Sequence, residues 1–353
     1  MKTAYGSKRL ARFVGCAAVT TCLAGAAVTA APAASARVDV TLPVVNRHAA
    51  VSWGCGNVGQ LGNGTYAGRS LYGPVEEMGG SVAQVAGGGG FALALRSDGT
   101  AWAWGQNQDG EMGNGTTSVT QFTPVQVSGL SAVVAVSAGA DFGLALRSDG
   151  TVWAWGDNLV DQLGGGTESD SLVPVQVKGL VSISSIAAGA ASALAIRTLL
   201  GTTSAWTWGE PADNIAGSTS VTEVPPIGAG IAGIAAGQNF SLVLGTDGSV
   251  WGWGWNFPDV LLTNVLSTNT PVRVVGPGSG ITQLAADGSH VLALRSNETV
   301  LAWGYNECGD LGDGSAAQTT SPVQVSGLTT ASQVAAGVDA SYAVYLPPLV
   351  VQP

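Results

Sequence analysis

The sequence has little histidine and little positive charge. It contains two histidines, and 13 lysines and arginines against 23 aspartates and glutamates. Four of the basic residues precede position 13, and Lys178 is the only lysine after them. A face that binds nucleic-acid phosphates needs clustered lysine and arginine. The sequence therefore predicts no nucleic-acid partner.

The shortage of histidine also limits catalysis. With only His48 and His290, a serine or cysteine triad and a histidine-rich zinc site are both disfavoured. A carbohydrate-active enzyme would need carboxylates clustered in one cavity, and the sequence shows no such cluster, so this function is the least favoured. We expect no catalytic activity, no cofactor and no metal site.

The first residues predict secretion. Lys2, Lys8, Arg9 and Arg12 precede an uncharged stretch over 13–34 that ends in a small-x-small motif, which is typical of a secretory signal peptide. We predict cleavage before Arg37 and no membrane insertion of the mature chain, with an uncleaved anchor as the alternative. Without the signal, 9 basic residues remain against 23 acidic ones, a net charge of −14.

A repeat runs through the rest of the chain. Tryptophan followed by glycine recurs six times, with spacings of 51, 51, 53, 45 and 50 residues. A period near 50 without helical periodicity indicates a β-repeat. We interpret the tryptophans of these pairs as core residues: Trp53, Trp104, Trp155, Trp208, Trp253 and Trp303.

Each repeat predicts four strands. Asp98-Gly99, Asp149-Gly150 and Asp247-Gly248 lie between apolar stretches, which is a strong hairpin signal. Calcium binding by these aspartates is the lesser alternative, because a calcium site needs six or more oxygens. Four-stranded sheets repeated radially form a β-propeller. We predict an all-β propeller of six four-stranded blades, with seven as the alternative, closed by pairing of N- and C-terminal strands.

The composite motif resembles the regulator of chromosome condensation (RCC1-type) repeat. It combines Trp-Gly-x-Asn-x-x-Gly-Gln-Leu-Gly-x-Gly, Pro-x-x-Val, Leu-Ala-Leu and Asp-Gly-x-Val-Trp-x-Trp-Gly, and covers about residues 50–345. The resemblance implies a propeller, and well-known members of the family have seven blades. The nucleotide-exchange activity of that family is not expected in a secreted chain. The predicted organisation is a signal peptide (1–36), a lead (37–49), the propeller (50–345) and a tail (346–353).

Two cysteines remain after the signal peptide. Cys55 follows the first Trp-Gly pair and Cys308 follows the sixth, so both occupy the same loop in repeats that become neighbours on closure. We predict a Cys55–Cys308 disulfide, because paired cysteines in secreted proteins usually bond. Two free thiols are the alternative.

These observations favour a secreted, monomeric protein-binding module. The alternative is an inhibitor of a secreted enzyme such as a β-lactamase or a cell-wall hydrolase. The candidate partner-binding residues are apolar where sister repeats are polar: Trp255, Phe257, Val260, Leu261 and Leu262 in one loop, and Leu199 and Leu200 in a lengthened hairpin. These side chains either fill space inside the protein or form an exposed interface patch.

Overall fold

The described part of the chain consists of strands, turns and loops. The computed structural model describes residues 17–20, 50–54, 56–78, 82–210, 220–257, 259–306, 311–337 and 340–345. Within these ranges every regular element is a β-strand. No described segment forms a helix with the length and apolar character needed to cross a membrane.

Five antiparallel sheets have four strands each, and we call them the first to fifth blades. The first contains β4 (Val82–Gly87), β5 (Phe91–Arg96), β6 (Ala101–Asn107) and β7 (Ser118–Gln126). The second contains β8 (Val133–Ala138), β9 (Phe142–Arg147), β10 (Val152–Gly156) and β11 (Ser171–Gln176). The third contains β12 (Ile183–Ala188), β13 (Ser192–Leu199), β14 (Thr202–Gly209) and β15 (Thr222–Glu223).

The remaining strands complete two blades and form two smaller sheets. The fourth blade contains β16 (Ile231–Ala236), β17 (Phe240–Gly245), β18 (Val250–Trp255) and β19 (Ser267–Val275). The fifth contains β20 (Ile281–Asp287), β21 (His290–Arg295), β22 (Val300–Gly304) and β23 (Thr319–Gln324). A three-stranded sheet contains β1 (Ala17–Thr20), β2 (Val51–Gly54) and β3 (Arg69–Pro74), and a two-stranded sheet contains β24 (Ala331–Gly337) and β25 (Ala340–Tyr345).

The Asp-Gly hairpins form as the sequence predicts, between the second and third strands of a blade. Asp98 Oδ1 accepts the Thr100 N–H at 3.0 Å and the Thr100 hydroxyl at 2.6 Å, while Gly99 has φ of 80°. This hydroxyl bond is the main reason that the pKa of Asp98 lies below its usual range. Thr100 in turn accepts a bond from the indole of Trp102 at 3.0 Å. The Asp98 carboxylate therefore stabilises the turn.

The first strands of successive blades lie side by side and place the cores between adjacent sheets. β4 contacts β8, β8 contacts β12, β12 contacts β16, and β16 contacts β20, which is the radial order of a propeller. One core cluster joins Phe91 and Leu93 of the first blade to Val136 and Trp155 of the second. Burial between blades thus holds neighbouring sheets together.

The predicted closure differs from the pairing that the structure shows. β2 pairs with β3 on one side and with β1 on the other, and β25 pairs with β24. The sequence-based prediction placed a C-terminal strand beside β2. The free edge of β2 exposes backbone donors and acceptors that any extended segment can satisfy, and Ala17–Thr20, within the predicted signal peptide, occupies it. The described residues thus form five complete blades and two partial sheets.

Candidate functional site

An asparagine organises the loop that follows the third strand in four blades. These residues are Asn107, Asn158, Asn256 and Asn306, and each is at most 4% exposed. The side-chain oxygen accepts the N–H five positions later, at 2.6 to 3.0 Å. The side-chain amide donates to the carbonyl nine positions later, at 2.7 to 3.3 Å. One buried asparagine side chain therefore fixes the same loop conformation in each of these blades.

Tryptophans of the Trp-Gly pairs connect one blade to the preceding repeat. The five described side chains, Trp104, Trp155, Trp208, Trp253 and Trp303, are 0% exposed. Four indole N–H groups donate at 2.8 Å to backbone carbonyls of the preceding loop, namely those of Gln60, Glu111, Gln162 and Val260. Each bond removes an otherwise unsatisfied buried donor. Trp53 lies in β2, and its side chain is outside the described part of the structure.

The apolar loop of the fourth blade divides between core and surface. Val260 and Leu261 are 0% exposed and belong to a core cluster, and Leu262 is half-buried against that cluster. Trp255 is 46% exposed and Phe257 is 64% exposed. The loop thus contains both kinds of side chain that the sequence left open, those that fill space inside the protein and those that are exposed. Of the five candidate residues in this loop, Trp255 and Phe257 are the two that are exposed, and Val265 and Leu266 of the same loop are exposed as well.

Leu199 and Leu200 lie at the opposite end of the propeller from Trp255. Leu199 ends the second strand of its blade, whereas Trp255 ends the third strand of the next one. Adjacent strands run antiparallel, so these two ends are opposite. The leucines are 44% and 98% exposed. The predicted partner-binding residues therefore do not form one surface.

Of the predicted histidine and cysteine positions, His290 alone lies in the described part of the structure. Cys55 and Cys308 lie outside the described residues, as does His48. His290 begins β21 and is 1% exposed. The side chain of His290 therefore packs inside the protein.

A cavity of about 330 Å³ lies where the first strand of each blade leads into the second. Its lining is almost entirely small, and includes Gly88, Gly89, Gly139, Ala140, Gly189, Ala190, Gln238 and Gly288. A Cβ added at Gly139 would approach the Phe142 ring to 2.0 Å, and one at Gly189 would approach the Gly237 oxygen to 2.6 Å. Crowding therefore requires glycine here. We call this end of the propeller the cavity end.

Backbone bonds join the linings of neighbouring blades around the cavity. Gly89 N–H donates to Ala140 O at 3.0 Å, Ala140 N–H to Ala190 O at 3.0 Å, and Gln238 N–H to Gly288 O at 2.8 Å. These bonds fix the loops relative to one another. The cavity is consequently a preorganised feature of the fold.

A ring of five residues surrounds this lining. In every described case, the residue after Trp-Gly donates its N–H to the carbonyl of a residue next to the cavity lining, at 2.7 to 2.9 Å. The ring residues are Gln106, Asp157, Glu210, Trp255 and Tyr305. Their backbone position is constant and their side chains differ. Sequence reasoning found only Trp255, although variation directly after a fixed Trp-Gly pair was the available signal.

Carboxylates cluster beside Gln106. The nearest carboxylate atoms of Asp109, Glu111 and Asp141 lie within 4.8 Å of one another. Gln106 Nε2 donates to Glu111 at 3.3 Å and to Asp141 at 3.2 Å, and the Asp109 N–H donates to Glu111 at 2.9 Å. Burial, with a smaller effect from the two aspartates, raises the pKa of Glu111 to about 7. The Gln106 amide thus bridges two of the three carboxylates.

Comparison with known proteins identifies the architecture. The model of the RCC1-like domain matches residues 49–346. The human E3 ubiquitin-protein ligase HERC2 is 37% identical over 130 residues, which cover 36% of this chain and 3% of HERC2. The ultraviolet-B receptor UVR8 of Arabidopsis thaliana is 28% identical over 233 residues, which cover 63% of this chain and 53% of UVR8. The matches thus span about half of UVR8 and a small part of HERC2.

Solved structures have the same fold. The structure of human WBSCR16 superposes with a TM-score of 0.70 at 22% identity, covering 83% of this chain and 86% of that one. A chain in the structure of Kap60 bound to yeast RCC1 (Prp20) also gives 0.70, at 24% identity, covering 85% of this chain and 77% of that one. At these identities the likeness extends to the fold alone.

Proposed function

Because the chain belongs to the RCC1-like domain family, we propose that it is a secreted protein-binding module that catalyses no reaction of its own. The observation that carries the proposal is the exposure of Trp255 and Phe257, at 46% and 64%, in a loop where Val260 and Leu261 are buried. Tryptophan and other aromatics on a rigid scaffold are the usual anchors of protein interfaces. Yeast RCC1 (Prp20), of the same fold, has been crystallised bound to Kap60.

Two features support binding rather than catalysis. The one histidine in the described residues, His290, is buried. The described residues that line the cavity are glycines and alanines with Ser137 and Gln238, and among them there is no pair of an acid or base with a nucleophile.

The test is a double variant, Trp255→Ala with Phe257→Ala, in the secreted protein. We expect loss of partner capture from culture fluid and envelope, measured by pull-down and mass spectrometry, with a melting temperature close to that of the unmodified protein. Leu200→Ala is the matched control, since Leu200 is 98% exposed at the opposite end. Unchanged capture by the folded double variant would rule out this surface.

An inhibitor would use the same surface against an enzyme. Titration of the secreted protein against β-lactamases and cell-wall hydrolases separates the two functions. Inhibition that disappears in the Trp255 and Phe257 double variant would identify the partner as an enzyme, and binding without inhibition would favour a scaffold.

For the mature chain we propose a ring of six blades. β1 pairs with β2 and contacts β4, as β5 pairs with β6 and contacts β8, so β1 holds the place of a second strand in the closing blade. A chain cleaved before Arg37 lacks β1. β25 then takes that place, and β24, β25, β2 and β3 form the sixth blade.

The predicted Cys55–Cys308 disulfide tests this closure. In a six-bladed ring, the loops that carry the two cysteines are neighbours. If β2–β3 and β24–β25 belonged to separate blades, one blade would stand between the cysteines, beyond the roughly 7 Å between Cα atoms that a disulfide allows. We expect non-reducing mass spectrometry of the secreted protein to show the linked peptides. Two thiols that react with an alkylating agent before reduction would exclude the bond.

A further inference from the structure

We propose that the joint between the third and fourth blades binds internal water through the hydroxyl groups of Ser192, Thr207 and Ser241. Each of these side chains is 0% exposed. Within the part of the chain that the structure describes, none of the three hydroxyls has a hydrogen-bond partner. A buried polar group without a partner is unfavourable, because it loses the hydrogen bonds that it makes with water in the unfolded chain. Three such groups in one joint therefore indicate a polar ligand there.

The three hydroxyls lie on faces that meet in the same gap. In each strand the side chain two positions away lies on the same face of the sheet. The side chains two positions from the hydroxyl residues belong to one core cluster that contains residues of both blades: Leu194, Ala205 and Val243. The hydroxyls therefore lie on the two sheet faces that pack against each other.

The three side chains are also close to one another. A Cβ added at Gly189 would lie 2.9 Å from Ser192 Oγ and 3.3 Å from Ala236 Cβ, so Ser192 lies next to the fourth blade. Ala236 stands directly opposite Ser241 in that blade, where opposite side chains are about 5 Å apart. Thr207 is the diagonal neighbour of Ser192 in the third blade, at roughly 7 Å. Gaps of this size between polar atoms suit bridging water.

The other joints between complete blades are apolar at the same three places. These places hold Phe91, Ala103 and Gly143 between the first and second blades, Phe142, Ala154 and Ala193 between the second and third, and Phe240, Gly252 and Val291 between the fourth and fifth. The third blade thus has a serine hydroxyl where three sister blades have a phenyl ring. This exchange leaves space in the joint, and the two further hydroxyls make that space polar.

Water fits this site better than a larger ligand does. All three side chains are fully buried, so a ligand must be small enough to be enclosed. Each hydroxyl can donate one hydrogen bond and accept others, and water has the same capacity. The oxygen of Gly237, which would lie 2.6 Å from the Cβ added at Gly189, supplies a further acceptor next to Ser192. Internal water typically makes about three such bonds, so these groups are sufficient to hold it.

The first test removes one hydroxyl and nearly preserves the shape of the side chain. Thr207→Val in the secreted protein should lose a hydrogen bond to water, so we expect the equilibrium constant for unfolding in urea to rise about fivefold. A hydroxyl with no ligand would instead be an unsatisfied group, and its removal would leave the constant unchanged or lower it. That result would overturn the inference. Thr202→Val is the matched control, because Thr202 lies in the same strand and is exposed, so its substitution should leave the constant unchanged.

The second test observes the ligand directly. A crystal structure of the secreted protein should contain water oxygens within about 3.2 Å of at least two of the three hydroxyls. The triple variant Ser192→Phe, Thr207→Ala and Ser241→Ala copies the joint between the second and third blades, and its structure should contain no water there. A side chain of the protein in place of the water would overturn the inference. If the triple variant does not fold, Thr207→Val still decides between the two outcomes.

Discussion

The loops of the second and fourth blades follow the same backbone course and present different surfaces. Asn158 and Asn256 make equivalent buried bonds to the backbone five and nine positions later. Leu163 and Leu261 occupy the same core position, 1% and 0% exposed. Yet the ring residue is Asp157 in one loop and Trp255 in the other, 6% and 46% exposed. The fold thus depends on a few buried positions and leaves the ring position free to vary.

Tryptophan substitutions should give the largest difference in the free energy of unfolding between buried positions and the ring position. Trp155→Ala removes a side chain that is 0% exposed and bonded to Glu111 O, so we expect a loss of about 3 to 5 kcal/mol in the free energy of unfolding. Trp255→Ala removes a half-exposed side chain and should change it by no more than about 0.5 kcal/mol. Urea unfolding of the two secreted variants measures both values. Similar losses would contradict the division between core and ring.

The sequence predicted the elements that depend on local chemistry. The Asp-Gly hairpins follow from short-range turn preferences, and the tryptophan period follows from one repeated packing position. The fourth-blade loop looked like a broken repeat because Val260 and Leu262 replace glutamine and glycine. Asn256 nevertheless keeps its place after Trp-Gly-x and organises the loop.

What the sequence did not predict depends on contacts between repeats. The cavity lining requires bonds between loops of neighbouring blades, such as Ala140 N–H to Ala190 O at 3.0 Å, and no residue pattern in the sequence predicts them. The pairing of β1 with β2 was missed because residues 1–36 were assigned to a signal peptide and not considered as a source of strands. Strand edges are satisfied by backbone groups, which carry no sequence signature.

The position of Gln162 gives a second comparison between blades, for which we expect a smaller effect on stability. Gln162 Nε2 donates to Asp157 at 2.8 Å, and its Oε1 accepts the Val160 N–H at 3.0 Å. In the first blade Glu111 stands there, 0% exposed, and burial raises its pKa from 4.5 to about 7. The neutral amide of Gln162 therefore makes its hydrogen bonds at any pH. Burial of the Glu111 carboxyl, in contrast, favours its protonated form.

The pH dependence of stability should expose this difference. A pKa raised by folding contributes stability that is present below pH 4.5 and is lost as the pH rises through about 7. At about 1.4 kcal/mol per pH unit, the loss attributable to Glu111 reaches about 3 kcal/mol at most. Glu111→Gln should remove it, so the variant should be the more stable protein at pH 8, with a smaller difference at pH 5. Chemical denaturation at a series of pH values measures the difference.

The reciprocal substitution provides the matched control. Gln162→Glu places a carboxyl next to Asp157 in the second blade and should introduce the same fall in stability between pH 4.5 and 7. Parallel curves for the unmodified protein and Glu111→Gln would show that Glu111 is ionised in the folded protein throughout this range. Protonation of the carboxyl at this position would then make no contribution to the stability of the first blade.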